Sequence, residues 1–195
     1  MIVGITGGTG CGKTTALQAF AALGGRVLDC DAIYHRLLQT DGQMLAAIEE
    51  AFPNTVTHGV LDRKKLGSIV FADKNALLRL NAITHKAVKR EVESLIEQAE
   101  TPVAIDAIGL FEGGLAELCD VTVAVTAPEE SRVARLMARD GITEVYAQSR
   151  IAAQRSQAEF SSMCRYTLHN DSTQEEFTAK CLAFFKGLGI MKLSN

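Results

Sequence analysis

Short apolar runs rich in β-branched residues recur along the chain, at MIVGIT (1–6), RVLD (26–29), PVAIDA (102–107), VTVAVT (121–126) and YTLH (166–169). They are nearly continuous in hydrophobicity rather than alternating, as in strands covered on both faces, and helical patterns lie between them. That alternation predicts an α/β fold, with a five-stranded parallel sheet and helices on both sides. The longest helical pattern runs from about Asp73 to Glu97, where Leu77, Leu80, Val88, Val92 and Leu95 fall on one side and Asp73 is placed to cap the start. About 70 residues separate the strand ending at Asp29 from the one beginning at Pro102, far more than one crossover needs. That stretch reads as helix or loop throughout, which predicts a helical subdomain inserted into the sheet domain.

Composition narrows the class without changing this picture. The chain has 195 residues, 47% hydrophobic and 22% charged, with 3 prolines and no low-complexity tract, as expected for a single globular domain with or without an insertion. Its net charge of -3 offers no overall attraction to nucleic acid or to an anionic membrane, so any anion site has to be local. The start, MIVGITGG, has no basic segment followed by a long apolar stretch, and the reading is cytoplasmic. Cysteines at 11, 30, 119, 164 and 181 show no CxxC spacing and read as reduced thiols.

Chemistry enters at residues 7–15, GGTGCGKTT, which satisfy GxxxxGK[ST] between a strand and an amphipathic helix. Glycines there let successive N–H groups turn inward around phosphate oxygens, and the following helix adds its positive end. The expected nucleotide contacts are Gly8, Gly10, Cys11, Gly12, Lys13, Thr14 and Thr15. Lys13 would reach the β and γ phosphates, and the Thr14 hydroxyl would ligate Mg²⁺. Cys11 is expected to bind through its backbone N–H. The alternative is a thiol activated by the helix start and by Lys13.

A phosphate loop does not choose a reaction. DAIG (106–109) matches the DxxG of GTPases, yet no NKxD is present to read guanine. Asp106, at the end of a buried strand, is better read as holding Mg²⁺ through water. In LDCD, Asp29 and Asp31 would share one side of a strand that continued this far, and one of them could take a proton from an acceptor hydroxyl; Asp31 could equally cap the next helix. Between 131 and 155 stand five arginines, Arg132, Arg135, Arg139, Arg150 and Arg155, against Asp140 and Glu144. The first three share a helix, Arg150 and Arg155 follow on the next, and the segment reads either as a lid that closes on phosphate or as a solvated helix face.

In order and spacing, GITGGTGCGKTT, ALGGRVLDCDAI, GVLDRKKLGSIVF, ITH, IDAIGLFE, APEESRVARLMARDG, RIAAQ and HND resemble the dephospho-CoA kinases over nearly the whole chain. The resemblance implies a P-loop kinase core (about 1–30, 102–127 and 164–195), a helical substrate-side insertion (about 31–101) and a lid (about 128–163). It implies ATP as co-substrate, Mg²⁺ as cofactor, dephospho-CoA as acceptor, and no nucleic acid or membrane partner. Asp31 would be the base and Arg139 the lid residue on the phosphates, with Arg135 its helper. Asn170 would lie near the adenine, and His85 and Asp106 on the substrate side. The chain departs from the family pattern at Lys86, Ile108, Gly109, Arg132 and Arg165. A kinase for another nucleoside, nucleotide or small alcohol and a nucleotide-binding regulator are the competing readings.

Overall fold

The structure, a computed structural model, describes residues 1–191; the last four residues of the expected core, 192–195, lie outside the described residues. Along the chain run β1 (Ile2–Thr6), α1 (Lys13–Ala22), β2 (Arg26–Asp29), α2 (Cys30–Thr40), α3 (Gly42–Ala51), β3 (Val56–Thr57), β4 (Val60–Leu61), α4 (Arg63–Val70) and α5 (Lys74–Glu97). Then follow β5 (Val103–Asp106), β6 (Val121–Thr126), α6 (Glu129–Asp140), α7 (Glu144–Ala152), α8 (Gln157–Met163), β7 (Tyr166–His169) and α9 (Gln174–Gly187). All five apolar runs are strands of one sheet, ordered β2-β5-β1-β6-β7. Pairing is parallel, with Val3 opposite Ala104 on one side and Val121 on the other, and Val123 opposite Tyr166. Since β1 lies between strands reached by connections of opposite direction, the loop after β1 opens at the switch point of the sheet, where α/β folds bind ligands.

The chain divides into two compact units, one comprising 1–28, 99–110 and 118–195 and the other 29–98 and 111–117. In the sheet unit, α1 and α9 supply the core on one face. Phe20 meets Phe185 edge to face with ring centroids 5.2 Å apart, and both are fully buried beside Val3, Ile5, Val123 and Phe177. Each such side chain contributes about 1.5–3 kcal/mol by leaving water. Leu136, Val133, Ala147 and Ile151 form a smaller cluster between α6 and α7.

In the helical unit, α5 runs from Lys74 to Glu97 and Asp73 caps it, its carboxylate accepting from Asn75 N–H at 2.8 Å. Ala76, Leu80, Thr84, Ala87, Val88 and Val92 form its buried stripe, against which α2, α3 and α4 pack. The expectation of helix and loop alone is corrected here. Residues 56–61 form a two-stranded antiparallel hairpin, with Val56 opposite Leu61. Its turn residues His58 and Gly59 both have positive φ, 51° and 77°, the turn geometry that matches strand twist. Glu49 holds the approach to this hairpin, accepting from Asn54, Thr55 and Val56 N–H at 2.6, 2.9 and 2.6 Å.

Candidate active site

The phosphate loop follows β1 without a break, and its conformation rests on glycine. Gly7, Gly10 and Gly12 have φ of 145°, 75° and 101°. At Gly12 a side chain would be strained by that φ and would also collide with the Asn170 amide. Gly12 is the N-cap of α1 and provides no side-chain cap, whereas Asp29, Asp41, Asp62, Asp73, Thr143, Ser156 and Thr173 cap their helices. The start of α1 therefore keeps its positive end for an anion.

Lys13 in the first turn of α1 meets Asp106 at the end of β5, Nζ to Oδ1 3.1 Å, with both side chains about four-fifths buried. Thr14 is exposed beside Lys13. These are the groups that would hold a triphosphate and a hard cation.

Around the loop stands a shell of side chains from α6, the connection after α7 and the turn after β7. Arg135 Nη1 donates to Gly10 O at 3.2 Å and to Cys11 O at 3.5 Å, and its Nη2 donates to Asn170 Oδ1 at 3.2 Å. Asn170 Nδ2 donates to Cys11 O at 2.9 Å. Arg132 Nε donates to Thr9 O at 2.9 Å, and Gln154 Oε1 accepts from Thr9 N–H at 2.7 Å. The expectation of Asn170 as a purine reader thus meets an amide already engaged through both its oxygen and its nitrogen. The sequence reading counted Arg132 among the arginines of a lid or a solvated helix face, whereas here it is buried against the loop, and it assigned no role to Gln154. The signal for Arg132 was its place four residues before buried Leu136, on the apolar side of α6.

Farther along α6, Arg139 forks onto Asp140 at 2.7 and 3.0 Å, and Arg150 joins Asp140 at 2.6 Å. The Arg139 side-chain hydrogen bond, followed by Arg150, holds the Asp140 carboxyl at about 2, below the usual range. Arg155 lies in the turn before α8 rather than on α7, 3.9 Å from Glu159.

Cys11 is corrected in its alternative role. Its side chain is fully buried, and burial pushes the thiol up despite the opposing influence of Lys13, so it is no activated nucleophile. Cys164 and Cys119 are likewise pushed up, chiefly by burial, to about 11 and about 12.

In the helical unit the two aspartates separate. The strand stops at Asp29, so the alternation that would have put both carboxylates on one strand face does not apply. Asp29 caps α2, accepting from Ala32 N–H at 3.0 Å, and Asp31 stands exposed in the first turn, relieved of capping. His85 is half-buried on α5. Among the departures, Ile108 O accepts from Thr6 Oγ1 at 3.1 Å, and Arg165 lies over the Tyr166 ring.

The dephospho-CoA kinase family model matches residues 1–176. The chain belongs to the dephospho-CoA kinase family. A dephospho-CoA kinase of Thermobifida fusca is 38% identical over 182 residues, covering 91% of each chain, and one of Geobacillus kaustophilus is 34% identical over 192 residues, covering 95% of this chain and 96% of the other. A crystal structure from Thermus thermophilus superposes with a TM-score of 0.78 at 32% identity, over 96% of this chain and 97% of that one. A shikimate kinase of Bacteroides thetaiotaomicron, 18% identical with a TM-score of 0.57 over 96% of this chain and 97% of its own, shares the P-loop kinase fold. Membership makes the chain an ATP-dependent kinase with an alcohol acceptor. No helix of the described residues is long and apolar enough to cross a membrane.

Proposed function

We propose that this chain transfers the γ-phosphoryl group of ATP to the 3′-hydroxyl of dephospho-CoA, giving coenzyme A and ADP. The observation that carries the reading is the glycine loop on an uncapped helix with Lys13 at its mouth, in a member of this family. The loop N–H groups, including those of Gly8, Gly10, Cys11 and Gly12, together with Lys13, Thr14 and Thr15, hold the phosphates. Lys13 neutralises the oxygen between the leaving and transferring groups. Asp31 orients the 3′-hydroxyl and accepts its proton as oxygen bonds to phosphorus and ADP departs. Arg139 exchanges Asp140 for the transferring phosphoryl group, adding charge where it develops. His85 stands on the acceptor side.

Mg²⁺ suits the oxygen donors present: the exposed Thr14 hydroxyl, and Asp106, whose carboxylate is already ion-paired and which would hold the ion through water. When bound, the ion neutralises charge on the phosphates. The purine takes the open cavity of about 420 Å³ at the ends of β6 and β7, where Thr126, Pro128, Gln157, His169 and Asn170 line the wall. Five free thiols support a reducing, cytoplasmic setting.

Asp31→Asn tests the assignment. The variant is expected to fold and bind ATP yet lose turnover by about 10²-fold or more. A kcat near wild type would move the base elsewhere.

A further inference from the structure

Three successive carbonyls of the phosphate loop, those of Thr9, Gly10 and Cys11, are each held by a side chain from outside the loop. The donors are Arg132, Arg135 and Asn170. Arg132 is 3% exposed, makes no ion pair among the described residues, and keeps its Nη2 buried without a hydrogen-bond acceptor. Its guanidinium lies close against Gly8, where a Cβ would collide with Nη2, and a Cβ on Gly10 would come within 2.8 Å of the Arg132 carbonyl oxygen. Loop and helix are thus in direct contact over Gly8 to Gly10, with a buried cation beneath the loop and no counter-charge bonded to it.

We propose that Arg132 is a positioning residue which, with Arg135 and Asn170, draws these three carbonyls outward and thereby aims the loop's N–H groups at a diphosphate. The inference rests on the reading of the loop as the nucleotide site. In a trans peptide the C=O and N–H point in opposite directions, so a donor that fixes one fixes the other. Holding Thr9 O turns the Gly10 N–H inward, and holding Cys11 O turns the Gly12 N–H inward. Cys11 N–H is partly engaged by Gly8 O at 3.3 Å, which closes the turn between them. Gln154 grips the Thr9 N–H, so Thr9 is held at both of its polar groups. The guanidinium also places a positive charge under the loop that no carboxylate contacts directly, Glu129 acting on it only through space, and bound phosphate supplies a closer compensating charge. Preorganised N–H groups bind phosphate without a conformational cost at the moment of arrival.

This account differs from a direct grip on the γ-phosphate in a measurable way. A loop shaped for the α and β phosphates serves ADP and ATP alike, in the ground state and the transition state alike, so its loss raises KM for ATP and spares kcat. Titration calorimetry with ADP and with a non-hydrolysable ATP analogue, alongside steady-state kinetics, compares wild type with Arg132→Met and Arg132→Lys. The methionine keeps the bulk and removes the donor. It is expected to weaken both nucleotides about tenfold or more, the scale of a lost charged hydrogen bond. KM for ATP should rise in parallel, with kcat and the acceptor KM within about threefold. Lysine, which can still donate to Thr9 O, is expected to recover most of the loss. Arg135→Met frees Gly10 O, and should give the same paired loss if Arg132→Met proves too unstable to assay.

Unchanged affinities in folded variants would overturn the proposal. So would a loss confined to the ATP analogue, which would put Arg132 on the γ-phosphate. If wild type bound neither nucleotide, the loop reading itself would fail, a result distinct from either.

Discussion

At the scale of single residues, the chemistry of the site was legible from residue type and spacing, while the partner of each group was not. The resemblance placed Arg135 and Asn170 near the nucleotide, but a guanidinium or an amide takes any oxygen as partner, and here the oxygens are the loop's own carbonyls. Asp29 and Asp31 could not be separated in sequence, because which one caps depends on where the strand releases the chain. The structure makes that point Asp29, which caps α2 and leaves Asp31 exposed in the first turn. Cys11 carries a prediction at this scale. Buried and with its thiol pushed up, it should resist iodoacetamide at neutral pH in the folded protein, as read by peptide mass spectrometry. Rapid modification of Cys11 that ATP prevents would restore the activated-thiol reading.

At the scale of elements, the five strands and the long helix α5 were readable because continuous apolar runs and a regular stripe are strong signals, and Asp73 marked the start of α5 correctly. The hairpin at 56–61 escaped because two-residue strands have no periodicity; only the His58-Gly59 turn, which demands positive φ, betrays it. The join between α6 and α7 carries a pH prediction. Asp140 is bonded to Arg139 and Arg150, and its carboxyl is lowered to about 2 against an ordinary 3.8. A depressed acid contributes its stability above the ordinary value and loses it as pH falls through about 2. Being on the surface, the pair adds little to global stability. Carboxyl NMR should therefore show Asp140 titrating near 2, and replacing both arginines by methionine should return it toward 3.8. A wild-type midpoint near 3.8 would show that the arginines do not hold it in solution.

At the scale of the whole molecule, the five strands of the main sheet followed from the hydrophobic pattern, but the order β2-β5-β1-β6-β7 did not, because neighbour choice depends on crossovers that no local pattern encodes. That order brings the ends of β1 and β5 side by side, and so joins Lys13 to Asp106 across 93 residues of chain, reckoned from the numbering. Residues 111–117, adjoining the strand region in sequence, belong with the helical unit, a placement that only the folded chain reveals. The claim that unites these levels is transfer from ATP to dephospho-CoA. The direct measurement is ADP release by the purified, folded protein with ATP and Mg²⁺, comparing dephospho-CoA with adenosine, AMP and shikimate as acceptors. The account predicts turnover that depends on dephospho-CoA and yields coenzyme A in equal amount; no ADP above buffer with dephospho-CoA, or equal turnover with another acceptor, would contradict it.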